Sequence, residues 1–319
     1  MRLPPPYIPT NALFIDNNPA GGNTFSTAAS FGGAPMRLAS GSYTGDGLDD
    51  RAIAGVGFTP DVVFIKCECN RPGVARTSTM VGDAAKTLNS TGNLVPDLVQ
   101  SLDFNGFTVG SEVNVNKDGE IFHWAALKAG EELELGTYMG DDTDDRSIVG
   151  VSFQPDWVAT FGDGNDSIFR TRSVSGDVSF AFTGNSDLSD RIQGLQSRGF
   201  QVGSNPDVNE LGVTYHYLAW NSSVNVSLSS YDGDGKDDRS IAGTGFTPQL
   251  VWIKREDNSR ATWRPASVSG DLSLQYGNSA AGSDLIQSFE SNGFQVGSSD
   301  PVNKKNRTYH YLALRDGGP

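Results

Sequence analysis

The sequence predicts an all-β protein: three tandem β-sandwich-like modules behind an extended N-terminal arm. Three observations carry this. One stretch occurs three times, as "GSYTGDGLDDRAIAGVGFTPD" from Gly41, "GTYMGDDTDDRSIVGVSFQPD" from Gly136 and "SSYDGDGKDDRSIAGTGFTPQ" from Ser229. Two further markers return in the same order: "NGFTVGS", "RGFQVGS" and "NGFQVGS", then "IFHWAAL", "TYHYLAW" and "TYHYLAL". The segments between turns are short, β-branched and aromatic, with few helical patterns.

The repeated arginines, Arg51, Arg146 and Arg239, set a period of more than ninety residues. That exceeds a solenoid unit of about 20–50 residues and matches a small domain of about 100. The chain divides into an arm (residues 1–36) and modules at 37–131, 132–224 and 225–319.

Within each module, "DVVFIKC", "DWVATF" and "QLVWIKR" follow a proline and read as strands. The Gly-Phe-x-Val-Gly segments and the aromatic stretches around His123, His216 and His310 read the same way. One helix per module is expected. "SDLIQSFESNG" offers Ser283 or Asp284 as N-cap, Leu285, Ile286 and Phe289 at helical spacing and Asn292-Gly293 as a stop, and "LSDRIQGLQSRG" repeats the pattern. The arm is rich in Pro, Gly and Asn with spaced apolar residues. Tyr7, Ile8, Leu13, Phe14 and Ile15 are its expected partner-docking residues, and "ALFI" is suited to adding to a neighbour's sheet edge.

Of 319 residues, 38 are acidic and 24 basic, for a formal charge of −14. Such a surface repels phosphate backbones, so nucleic acid is an unexpected partner. "MRLPPPYIPTNALF" has prolines where a signal peptide needs an apolar region, and no run has the length of a membrane helix. Cys67 and Cys69 are close in sequence, lack further Cys or His for a metal site, and are expected to be reduced thiols of a cytosolic product.

The acidic turns carry the candidate metal ligands: Asp46, Asp49 and Asp50; Asp142, Asp144 and Asp145, preceded by Asp141; and Asp232, Asp234, Asp237 and Asp238. Oxygen ligands at alternating positions suit weakly bound Ca²⁺, although the spacing and late Glu of an EF-hand are missing. The competing reading is a tight Asp/Gly turn whose arginine pairs with a local carboxylate. No cofactor beyond that ion is expected. The three histidines fall at one repeat position between aromatics and read as structural, hydrogen-bonded groups. "SVSGD" at Ser173 and Ser267 lacks a nucleophile elbow, and with no converging acid, base and nucleophile the expectation is a non-enzymatic protein. Trp157 and Trp252, read as standing at equivalent places after the proline, are expected core anchors, whereas Trp263 in "ATWRPA" is the candidate glycan-stacking surface residue.

"GSYTGDGLDDRAIAGVGFTPDVVFIK" and its copies, followed by "NGFTVGSEVNVN" and "FHWAALKAG", resemble a tandem module of structural proteins of tailed bacteriophages, marine ones in particular. There it stands beside lectin-like sandwich domains in virion appendages. The likeness covers each module from about residue 37 onward. It implies a virion component without enzymatic activity, made in the host cytoplasm. Its partners would be other capsid or tail proteins and further copies of the chain, with no membrane involved. It supplies no catalytic or ligand residues. This chain lacks the lectin-like domain and adds the arm, which turns the expectation toward a capsid decoration or accessory protein. A tail appendage gripping host-surface glycans is the alternative.

Overall fold

In the computed structural model, residues 33–89, 92–185 and 188–318 are described. Module 1 contains β1 (Arg37–Thr44), β2 (Arg51–Ala54), β3 (Val62–Cys67), β4 (Gly73–Thr77), β5 (Ala85–Leu88) and β6 (Leu94–Val95). It continues with β7 (Val99–Asp103), β8 (Gly106–Val109), α1 (Val113–Asn116) and β9 (Ile121–Lys128). Module 2 contains β10 (Leu133–Met139), β11 (Arg146–Val149), β12 (Trp157–Phe161), β13 (Ile168–Thr171), β14 (Phe180–Ala181), β15 (Ile192–Gln196), β16 (Gly199–Val202), α2 (Pro206–Asn209) and β17 (Thr214–Trp220). Module 3 contains β18 (Val226–Asp232), β19 (Arg239–Ala242), β20 (Leu250–Arg255), β21 (Thr262–Pro265), β22 (Leu274–Gln275), β23 (Ile286–Glu290), β24 (Gly293–Val296), α3 (Asp300–Asn303) and β25 (Thr308–Leu314).

Each module pairs a large antiparallel sheet with a three-stranded one. The large sheets run β1-β9-β3-β4-β5-β6, β10-β17-β12-β13-β14 and β18-β25-β20-β21-β22, and the small ones β2-β8-β7, β11-β16-β15 and β19-β24-β23. The strands expected after the prolines and at the three histidines are β3, β12, β20, β9, β17 and β25. The expected helices are not helices. "DLIQSFE" and "DRIQGLQ" form β23 and β15, each with a bulge against its partner. Their spacing of apolar residues fits a bulged strand, because the extra residue breaks the two-residue alternation. Among the described residues the single turn of helix in each module lies later, at Val113–Asn116, Pro206–Asn209 and Asp300–Asn303.

The inner strands of the large sheets are buried on both faces, which is why β3, β12 and β20 read as nearly unbroken apolar runs. Alternation sorts each strand between two cores. Val63, Ile65 and Cys67 face the small sheet of module 1, whereas Val62 and Phe64 face a core common to all three modules. In the same way, Tyr215, Tyr217 and Ala219 belong to module 2 alone, and Leu218 and Trp220 to the common core.

Trp252 lies at the heart of that common core. Its ring meets Phe64 of module 1, Trp157 and Trp220 of module 2 and Trp263 of its own module, at centroid distances of 4.9–6.4 Å among this group. Trp157 and Trp252 are therefore core anchors, but not at equivalent places: Trp252 stands two residues further along its strand, which keeps it on the same face. Trp263 is not a surface residue: it is 0 % exposed and stacks on Tyr276 at 5.7 Å. It occupies the inward position that Ala75 and Phe169 hold in modules 1 and 2, both also buried in this core.

The three modules close into a ring. The described ends meet, with Gly317 N–H donating to the Met36 carbonyl at 3.0 Å and Asp316 pairing with Arg37 and accepting from Leu38 N–H. The residues just before the first strand of each module, Met36, Glu132 and Asn225, also converge. The buried Glu132 carboxylate accepts from Met36 N–H at 2.7 Å and from Asn225 Nδ2 at 2.9 Å. Residues 34–36 thus belong to the folded ring. The docking residues Tyr7, Ile8, Leu13, Phe14 and Ile15 lie outside the described residues. Among the described residues no helix is long and apolar enough to cross a membrane.

Candidate functional site

The repeated acidic turn is a cage around one asparagine. In module 1, Asn116 Oδ1 accepts from Asp46 N–H at 3.0 Å and from Arg51 Nη1 at 3.1 Å, while its Nδ2 donates to Asp46 Oδ1 and the Leu48 carbonyl. Arg51 lies over the Tyr43 ring at 5.1 Å and also donates to the Thr44 carbonyl. Tyr43 Oη donates to the Val115 carbonyl at 2.5 Å. Asn209 with Arg146, Asp141 and Tyr138, and Asn303 with Arg239, Asp234 and Tyr231, repeat the arrangement.

The ten candidate calcium ligands sit on these turns, and most have donors of the protein's own. Asp46 Oδ1 accepts from Leu48 N–H and Asp234 Oδ1 from Lys236 N–H, and these bonds, with the nearby asparagine and arginine, hold both carboxyls below the usual range. Asp49, Asp144 and Asp237 each accept from the next residue's N–H and from a glutamine amide of the small sheet. Asp142 accepts from Leu211 N–H, Asp145 from Gln201 and Asp232 from Thr308. Asp50, Asp145 and Asp238 stand at φ of 56–58°, the left-handed conformation a tight turn uses. Among the described residues no group of three or more His, Cys, Asp or Glu is arranged to hold a metal ion.

The seams between modules bring together residues that the sequence alone kept apart. Thr79 Oγ1 meets His216 Nδ1 at 2.8 Å, Ser173 Oγ meets His310 Nδ1 at 2.6 Å, and Ser267 Oγ meets His123 Nδ1 at 3.2 Å. Module 1 thus holds module 2, module 2 holds module 3, and module 3 holds module 1. The serines of "SVSGD" are the ring's hydroxyl latches. At two seams the other imidazole nitrogen faces a carboxylate: His123 Nε2 to Glu68 and His310 Nε2 to Glu256, both at 2.9 Å. A neutral imidazole satisfies both contacts, accepting from the hydroxyl and donating to the carboxylate. Burial lowers the His123 pKa, and burial with the nearby Arg76 guanidinium lowers that of His216 to about 4. The shared position of Thr79, Ser173 and Ser267 in the repeat was the available signal for this pairing.

Buried cations reinforce the seams. Lys66 is 0 % exposed and donates to the carbonyls of Cys67, Cys69 and, across the seam, Ser279. Burial pulls its pKa down to about 7. Lys86 spans from module 1 to the Gly162 and Asn165 carbonyls of module 2. The two cysteines beside Lys66 are a disulfide, Cys67–Cys69, and not reduced thiols. The two do not share a strand: β3 ends at Cys67, and the turn that follows brings the second cysteine back to a Cα separation of 5.0 Å, within normal bonding range.

Loops of all three modules line a polar cavity of about 600 Å³, formed by Asn89, Thr183, Gly184, Asn185, Asn258, Ser259, Arg260, Gln275, Gly277, Asn278 and Pro301. The pairing register puts Leu88 opposite Gly73, at the end of the module 1 sheet away from Glu132. The cavity and the Glu132 junction are therefore at opposite ends of the ring.

A model of a domain of unknown function (DUF7483) matches residues 222–318, the extent of module 3. No curated protein matches the chain.

Proposed function

We propose that this chain is a non-enzymatic virion structural protein, a capsid decoration or accessory protein acting as a one-chain pseudo-trimer. The observation that carries the reading is the cyclic set of equivalent contacts, Thr79–His216, Ser173–His310 and Ser267–His123. A ring with three like faces suits a local three-fold position, where a symmetric shell presents one patch three times. The resemblance to phage structural modules supports the virion setting. The arm joins module 1 beside Glu132, where the three linkers meet, so it leaves from the middle of one end of the ring. Tyr7, Ile8, Leu13, Phe14 and Ile15 would then anchor the cap to a capsid protein. The alternative, a tail appendage with one shallow glycan site per module, loses its best aromatic candidate, since Trp263 and its counterparts Ala75 and Phe169 are all in the core.

The test compares the full chain, a version lacking residues 1–32, and the Phe14→Asp/Ile15→Asp double variant for co-sedimentation with virions assembled without the protein. The full chain should pellet with virions. The other two should stay in solution with unchanged melting temperatures. A full chain that never pellets would sink the virion reading, and a deletion that still pellets would move the anchor onto the modules.

A further inference from the structure

We infer that the cavity at the end of the ring is a binding site for an acidic carbohydrate, a sugar carrying a carboxylate, gripped by carboxamides at its hydroxyls and by Arg260 at its acid group. The volume of about 600 Å³ is that of a small-ligand site. Its chemistry runs against the rest of the molecule. In a chain of net charge −14, none of the described lining residues is acidic and one is a guanidinium. Five are carboxamides: Asn89, Asn185, Asn258, Gln275 and Asn278. A carboxamide presents donor and acceptor side by side, as a ring of adjacent hydroxyls requires, and a guanidinium matches a carboxylate fork.

The wall is built from behind. Asn185 donates through Nδ2 to Asp166 at 2.5 Å, and Thr183 donates to the same carboxyl at 3.3 Å. Asp166 is only 4 % exposed. This holds the Asn185 amide by its nitrogen at the cavity wall, and its oxygen is the group that would accept from a sugar hydroxyl. Asn89 accepts from Thr87 Oγ1 through Oδ1, leaving its Nδ2 as a donor. Gly277, at φ +80°, keeps room for Arg260: a Cβ there would come within 3.3 Å of the arginine Nε. Arg260 has no equivalent in the other modules, where Pro72 and Asp166 take its place, so the ring carries one site and not three. This inference stands independently of the virion reading, because any setting of the ring leaves the cavity chemistry the same.

The experiment titrates the full chain with sodium glucuronate and with glucose, by calorimetry and saturation-transfer NMR. Glucuronate should bind saturably and at least tenfold more tightly than glucose. Arg260→Gln should lose tenfold or more of the glucuronate affinity and leave glucose unchanged. Asn278→Ala should weaken both, and it carries the test if Arg260→Gln does not fold. No saturable glucuronate binding, no preference over glucose, or undiminished binding by both variants would overturn the assignment.

Discussion

The acidic turns and the common core are assembled from the same three repeats, yet one is nearly identical in every copy and the other differs in each. Tyr, Arg, Asp and Asn recur without exception in the turn cages (Tyr43, Arg51, Asp46, Asn116 and their counterparts). In the core, corresponding positions hold Ala75, Phe169 and Trp263, or Phe64, Ala159 and Trp252. A turn at the periphery solves its own hydrogen-bonding problem in isolation, so one solution serves three times. Around a three-fold centre, three copies of a large side chain would collide and three of a small one would leave a void. Dense packing then requires large residues in one module to meet small ones in the next.

The largest effect that would sharpen this contrast is expected at Trp252. Its ring touches aromatic rings of all three modules, so Trp252→Ala removes packing that no single module can repair. The expected cost is about 3–5 kcal/mol, the range for a buried Trp or Phe truncation. Denaturant unfolding should show it as a loss shared by the whole chain. Hydrogen exchange that accelerates in module 3 alone would mean the ring does not act as one unit.

A smaller and local loss is expected from Asn303→Ala. The amide serves Asp234 N–H, Arg239, Asp234 Oδ1 and the Lys236 carbonyl, and it is 0 % exposed. Removing it strands buried polar groups at a cost of about 2 kcal/mol. Faster exchange should appear in residues 232–242 and leave modules 1 and 2 untouched. Spread of the effect across the seams would contradict a self-contained turn.

The same contrast explains what could be read in advance. The strands and the threefold repeat come from local pattern, and local pattern repeats. Trp263 was misplaced because it stands alone in sequence, and its solitary character is what a shared centre produces. The helix expected at Leu285, Ile286 and Phe289 failed because a bulge imitates helical spacing over a few residues. The disulfide was missed because its closure depends on where β3 stops. The latches at Ser173 and Ser267 could not be paired with His310 and His123 from one strand's alternation, since each hydroxyl belongs to a different module from its histidine.

The smallest effect concerns the latch without a carboxylate. His216 has Thr79 on Nδ1 and the Arg76 charge nearby, and its pKa falls to about 4 from 6.5. Its folded pKa lies below its unfolded one, so between these values the unfolded chain binds a proton that the folded chain refuses. The contribution is therefore fully present above pH 6.5 and lost as pH falls toward 4. Asp166 works in the opposite direction. Burial first, then Asp207, raises its pKa to about 6 from 3.8, so its ionisation destabilises the fold as pH rises through that window. Comparing two chains that both carry Asp166 cancels it. His216→Gln retains an acceptor for the Thr79 hydroxyl and cannot protonate. The drop in stability between pH 7 and pH 5.5 should be smaller in the variant by about 1 kcal/mol, or about 2 °C in melting temperature. Equal drops in the two chains would show that His216 is open to protons when folded, and that the seam between modules 1 and 2 is looser than the other two.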